Sequence, residues 1–93
     1  MKKYAIKYLP KAEEDILKLQ KSGDKQAIKK LDKLLNELRE HPTYGEGKPE
    51  RLKHNIGDVW SREITRKHRL VYEIFEDTIL VEVTQAWGHY KDK

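Results

Sequence analysis

The sequence predicts an α+β domain in which an N-terminal strand and a two-helix hairpin pack on one face of a mainly antiparallel, twisted sheet. Three observations predict it. Residues 10–40 carry two segments with apolar side chains at helical spacing. Residues 59–83 carry three short runs rich in Val, Ile, Tyr, Phe or Trp, separated by short turns. The chain has 93 residues, which is room for one core and no more. Helices with a single apolar face cannot bury it alone, so the strands that follow must cover them. The whole chain, 1–93, is therefore read as a single domain with a short extension at 91–93.

Each element follows from local chemistry. Tyr4-Ala5-Ile6-Lys7-Tyr8-Leu9 is short, apolar and aromatic, which predicts a first strand. Pro10 ends it and suits the first helical turn, where its missing N–H costs nothing. Glu13, Glu14 and Asp15 lie near that helix's N-terminus, where the dipole favours negative charge. Ala12, Ile16 and Leu19 form its apolar stripe. Ser22-Gly23-Asp24 breaks the helix, and Asp24 can cap the next. In the second helix Ala27, Ile28, Leu31, Leu34, Leu35 and Leu38 keep the 3.6 period, with Lys25, Lys29, Lys30, Lys33 and Glu37 expected outward as a solvated face. His41-Pro42 closes it, and residues 43–49 form a loop rich in Gly and Pro. Strands are expected at Val59–Ile64, Arg69–Phe75 and Ile79–Val83, joined by hairpin turns at residues 65–68 and 76–78. Trp60 and Tyr72 read as packing residues.

Composition excludes several classes. A membrane span needs about 20 nearly uncharged apolar residues, and charges interrupt every apolar run here well before that. The absence of Cys rules out a disulfide framework and fits a reducing cytoplasm, the expected location. His41, His54, His68 and His89 show no close ligand spacing, so neither a metal nor another cofactor is expected. Gly45-Glu46-Gly47-Lys48 lacks the earlier Gly and the following Ser/Thr of a phosphate loop. The net charge is +4, and residues 48–69 carry the whole excess, with Lys48, Arg51, Lys53, Arg62, Arg66, Lys67 and Arg69 against Glu50, Asp58 and Glu63. A local basic excess suggests an anionic partner such as nucleic acid; ordinary surface charge on a strand pair explains it equally.

Within that half, a few residues could carry chemistry. Glu50 follows Gly47-Lys48-Pro49 and can accept a proton, or form a surface ion pair. Arg69 begins a strand and can clamp phosphate oxygens, or bridge to a neighbouring strand. In Ala86-Trp87-Gly88-His89-Tyr90 the His could act as general acid and Tyr90 could stack on a base, or the aromatics could pin the chain end to the core. A carboxylate, an Arg and a His are compatible with RNA cleavage through the ribose 2′-hydroxyl, but these parts alone do not single it out.

The ordered series does. Gly47-Lys48-Pro49-Glu50, Leu52-Lys53-His54, Trp60-Ser61-Arg62, Ile64-Thr65, His68-Arg69-Leu70-Val71-Tyr72 and Gly88-His89-Tyr90 together resemble the Txe/YoeB family of bacterial toxins, within the RelE-like superfamily. The resemblance implies a RelE-like fold and a type II toxin that cuts mRNA in the ribosomal A site. It further implies Glu50 as general base, Arg69 on the transition-state phosphate, His89 as general acid and Tyr90 orienting RNA. Lys53, His54 and Arg62 match positions suited to RNA phosphates or bases. The partners implied are a cognate antitoxin, either YefM/Phd-like or RelB-like, the ribosome and its mRNA, and operator DNA through the toxin–antitoxin complex. A homodimer is possible, and no membrane is implied. Three departures stand out: Trp87-Gly88 replaces an Arg-Tyr pair of some members, Glu63 replaces a basic residue, and Lys91-Asp92-Lys93 extends past Tyr90. The competing readings are a ParE-like toxin directed at gyrase and an RNA-binding module without cleavage.

Overall fold

The computed structural model describes residues 3–88. Strand β1 (Ala5–Tyr8) leads into helix α1 (Pro10–Lys21), whose first residue is the proline expected there. The helix stops at Ser22, whose hydroxyl donates to the Leu19 carbonyl at 2.6 Å. Asp24 then accepts from the Ala27 amide at 3.0 Å and starts helix α2 (Lys25–Leu38). Strands β2 (Glu50–Arg51), β3 (Val59–Glu63) and β4 (Arg69–Phe75) follow, then a 3₁₀ turn at Glu76–Thr78 and strand β5 (Leu80–Gln85).

The sheet order is β1-β5-β4-β3-β2, with β1 parallel to β5 and every other pair antiparallel. Both helices lie on one face, the α+β arrangement expected. Leu31, Leu34 and Leu38 of α2 and Ala12 and Leu19 of α1 meet Leu70, Tyr72 and Ile74 of β4 and Val81 and Val83 of β5. Each aliphatic side chain fully buried this way contributes about 1.5–3 kcal/mol.

Two expectations need correction, and one short strand adds to them. The two-residue strand β2 lies just past the segment expected as loop, because Glu50 and Arg51 pair with Ser61 and Trp60. The connection before β5 is a 3₁₀ turn closed by Ile79 at φ 50°, so the strand begins at Leu80. Glu37 does not point into solvent: its carboxylate turns inward to the Arg62 guanidinium at 2.7 Å. No described helix is long and apolar enough to cross a membrane.

Candidate active site

Alternation along β3 decides which residues share a face. Arg62 and Ile64 point toward the helices, so Ser61 points to the helix-free face. The ladder then places Glu50 directly opposite Ser61, and Ser61 opposite Val71. Arg69, two residues before Val71, is on the same face, and its Nη1 donates to the Ser61 hydroxyl at 3.2 Å. Ser61 and Val71 are 1% and 2% exposed, whereas Glu50 at the sheet edge is exposed. A carboxylate and a guanidinium thus flank one buried hydroxyl on the helix-free sheet face. Glu63 stands opposite Arg69 in the register, yet the guanidinium bonds Ser61.

The end of the sheet brings residues 85–88 to the same place. A bulge between β4 and β5 makes Gln85 the partner of Val71, after Val83 has paired with Tyr72. The extra residue shifts the alternation, so Gln85 joins the open face and Ala86 returns to the core at 0% exposure. The Ala86 amide donates to Asp15 Oδ2 at 3.1 Å. Asp15 is itself buried and accepts from Lys11 Nζ at 2.8 Å, so it is a tether as well as a charge at the helix start. The Gly88 amide donates to His68 Nδ1 at 2.9 Å, and the Arg69 amide donates to the Gly88 carbonyl at 3.0 Å. Trp87 lies against His68 with ring centroids 4.1 Å apart and planes tilted by 33°, and it packs against the core. His89 and Tyr90 lie outside the described residues; the residue before them is bonded to the Arg69 backbone.

Arg62 does not fit an RNA-contact role. It is 0% exposed, and its guanidinium bonds Glu37 Oε1 (2.7 Å), the Tyr72 hydroxyl (3.1 Å) and the carbonyls of His41 (2.6 Å), Tyr44 (2.9 Å) and Glu46 (3.3 Å). Burial pushes the Tyr72 phenol above its ordinary value, with Arg62 opposing, and its hydroxyl donates to the Pro42 carbonyl at 2.6 Å. The cation therefore clamps the loop that leads to Glu50. Gly47, at φ +80°, completes the clamp: a Cβ there would sit 3.0 Å from the Glu63 carbonyl oxygen and 3.1 Å from Leu34. Lys53 and His54 are exposed on the connection between β2 and β3. With Arg62 neutralised inside, the surface excess of residues 48–69 is three charges rather than four.

Ser61 and Asp15 are functional candidates that residue type alone did not expose. For Ser61 a signal existed: Trp60, Arg62 and Ile64 alternate with Val59, Ser61 and Glu63, and the more polar set belongs on the open face. The burial of Asp15 depends on a contact 71 residues away and has no local signal.

The fold and the motif series recur in known proteins. The family model for the YoeB-like toxins of bacterial type II toxin–antitoxin systems matches residues 8–90. The toxin YoeB of Escherichia coli K12 is 48% identical over 58 residues, covering 62% of this chain and 69% of that protein. A YoeB dimer from Staphylococcus aureus superposes with a TM-score of 0.79 at 35% identity, over 95% of this chain and 99% of that one. YoeB in a heterotetrameric YoeB–YefM toxin–antitoxin complex from the same organism gives 0.75 at 35% identity, over 94% and 98%. With its motif series, its fold and a family match over nearly its whole length, the chain belongs to the YoeB-like toxins of bacterial type II toxin–antitoxin systems.

Proposed function

We propose that this toxin is a ribosome-dependent mRNA endonuclease that cuts message in the A site and stops translation. The observation that carries this reading is the grouping of Glu50, Ser61 and Arg69 on the helix-free face, with the residue before His89 bonded to the Arg69 backbone. Glu50 takes the proton of a ribose 2′-hydroxyl, and the 2′-oxygen attacks the adjacent phosphorus. Arg69 offers N–H donors to the non-bridging oxygens as negative charge accumulates there. His89 protonates the departing 5′-oxygen, and Tyr90 orients the RNA. The products are a 5′-hydroxyl and a 2′,3′-cyclic phosphate, which water can open to a 3′-phosphate. Base, cation and acid all come from side chains, so the reaction requires no metal.

Lys53 and His54, exposed beyond β2, are suited to flanking phosphates or bases. The YoeB–YefM complex of the S. aureus relative supports a YefM-like antitoxin for this chain, and the dimer of that relative supports a homodimer. Binding of operator DNA by the toxin–antitoxin complex belongs to the same reading.

The test is expression of wild type and of a Glu50→Ala/His89→Ala variant in a bacterial host, with mapping of mRNA ends. Wild type should arrest growth and leave cuts within codons, and the double variant should do neither. Equal arrest by both proteins, or DNA damage without mRNA cuts, would refute the assignment.

A further inference from the structure

We propose that Ser61 is a positioning residue for cleavage, its buried hydroxyl aiming the Arg69 guanidinium at the space beside Glu50 where the scissile phosphate would lie. The inference rests on the nuclease reading and names a further part of that same site.

Distance across the sheet sets the problem. Glu50 is on β2 and Arg69 on β4, with β3 between them, so their backbones are about 10 Å apart in the hydrogen-bonding direction. A phosphate held by both groups needs the guanidinium well inside that span. An Arg side chain is long enough, but free in solvent it has about 2 kcal/mol of rotamer entropy to lose on ordering. Ser61 sits on the intervening strand, directly opposite Glu50. Its hydroxyl accepts from Arg69 Nη1 at 3.2 Å, which lays the Arg side chain back across β3 toward the base. The bond uses one of the guanidinium's five N–H donors, so the fork can still meet two phosphate oxygens.

Residue type supports the same conclusion. Position 61 is central in its strand and 1% exposed, next to the buried Val71, where a β-branched apolar side chain would pack better than serine. A hydroxyl there is explained by its partner. The acceptor is also rigid: a serine side chain has one heavy-atom torsion, and burial restricts it.

The experiment measures single-turnover cleavage of mRNA on programmed ribosomes together with ¹⁵N relaxation at Arg69 Nε in the isolated protein. Ser61→Ala should mobilise Arg69 Nε and slow cleavage by roughly 10-fold to 100-fold. The half-saturating ribosome concentration should stay within about twofold, since orientation rather than docking is lost. The isosteric pair Ser61→Thr and Ser61→Val covers poor folding of the alanine variant, and the threonine protein should cleave at least about tenfold faster than the valine one. An unchanged rate or unchanged Nε mobility in Ser61→Ala, or equal rates for the Thr and Val proteins, overturns the proposal while leaving the nuclease reading intact. Wild type that leaves ribosome-bound message uncut overturns both.

Discussion

The Arg62 guanidinium is wholly inside the protein, and a charge there is tolerated because every direction in which it can donate meets an acceptor. Three of those acceptors are backbone carbonyls of the loop before Glu50, and one is the carboxylate of Glu37 on α2. Lysine offers a point charge and cannot reproduce the fork. Truncation to alanine strands a half-buried carboxylate and unpaired carbonyls together. Arg62→Ala should therefore lower unfolding stability by about 3–5 kcal/mol in urea titration, with Arg62→Lys recovering less than half of the loss. A loss below about 1 kcal/mol would place Arg62 among ordinary surface charges. Glu50 is the opposite case. It is exposed, so Glu50→Gln should leave stability within about 0.5 kcal/mol of wild type while slowing cleavage roughly 10²-fold to 10⁴-fold.

Beyond the apolar packing of helix α1 on strand β5, one carboxylate ties the helix to the residue just past the strand. The bulge opposite Val71 sends Ala86 into the core, and Asp15 satisfies its amide where no strand neighbour does. Asp15→Ala would leave that buried N–H without its partner, at a cost of about 1–3 kcal/mol. Because Ala86 is three residues before His89, the loss should also appear in function. Amide exchange at Ala86 should accelerate and cleavage should fall, while Lys11→Ala, which removes only the exposed partner of Asp15, should do neither. The other end of the sheet has its own tether. Tyr4, just before β1, donates its hydroxyl to the Glu76 carboxylate of the 3₁₀ turn, 2.9 Å from Oε1. That bond, then burial, pushes the phenol up to about 12. A raised folded-state pKa means a contribution complete below the ordinary phenol value near 10 and lost as pH rises toward 12. The stability gap between wild type and Tyr4→Phe should be constant below pH 9 and shrink between pH 10 and 12. A gap that stays level across that window would dissociate the shift from folding.

Across the molecule, what could be read in the chain is what local chemistry controls. The α2 stripe, the Asp24 cap, Pro10 and the boundaries of β4 depend on neighbours within a few residues, and they stand where the periodicity placed them. The parallel pairing of β1 with β5 joins residues some 75 positions apart, and β2 is a strand only because β3 lies beside it, so neither had a local signature. Glu50 and Arg69 could be singled out by residue type and motif; the hydroxyl between them required the register. The same distinction governs the net charge of +4. One of the seven cations in residues 48–69, Arg62, is neutralised inside by Glu37, while the pairs Arg51–Asp58 (3.0 Å) and Lys48–Glu63 (4.0 Å) are already contained in the count of seven against three. The excess that this segment offers to free RNA is therefore three charges rather than four, while the net charge of the chain stays +4. Each phosphate neutralised on a single strand contributes about −0.7 to the slope of log affinity against log salt. With about three excess surface charges, the slope for naked RNA should be no steeper than roughly −2, and binding at physiological salt should be weak. Cleavage should then depend on the ribosome to present the message, which supplies the concentration that the protein's own charge does not. Titration of a fluorescent oligoribonucleotide between 50 and 200 mM salt measures the slope directly. A slope of −4 or steeper, or efficient cutting of naked RNA at physiological salt, would show that RNA is held by more cations than the excess in residues 48–69 provides.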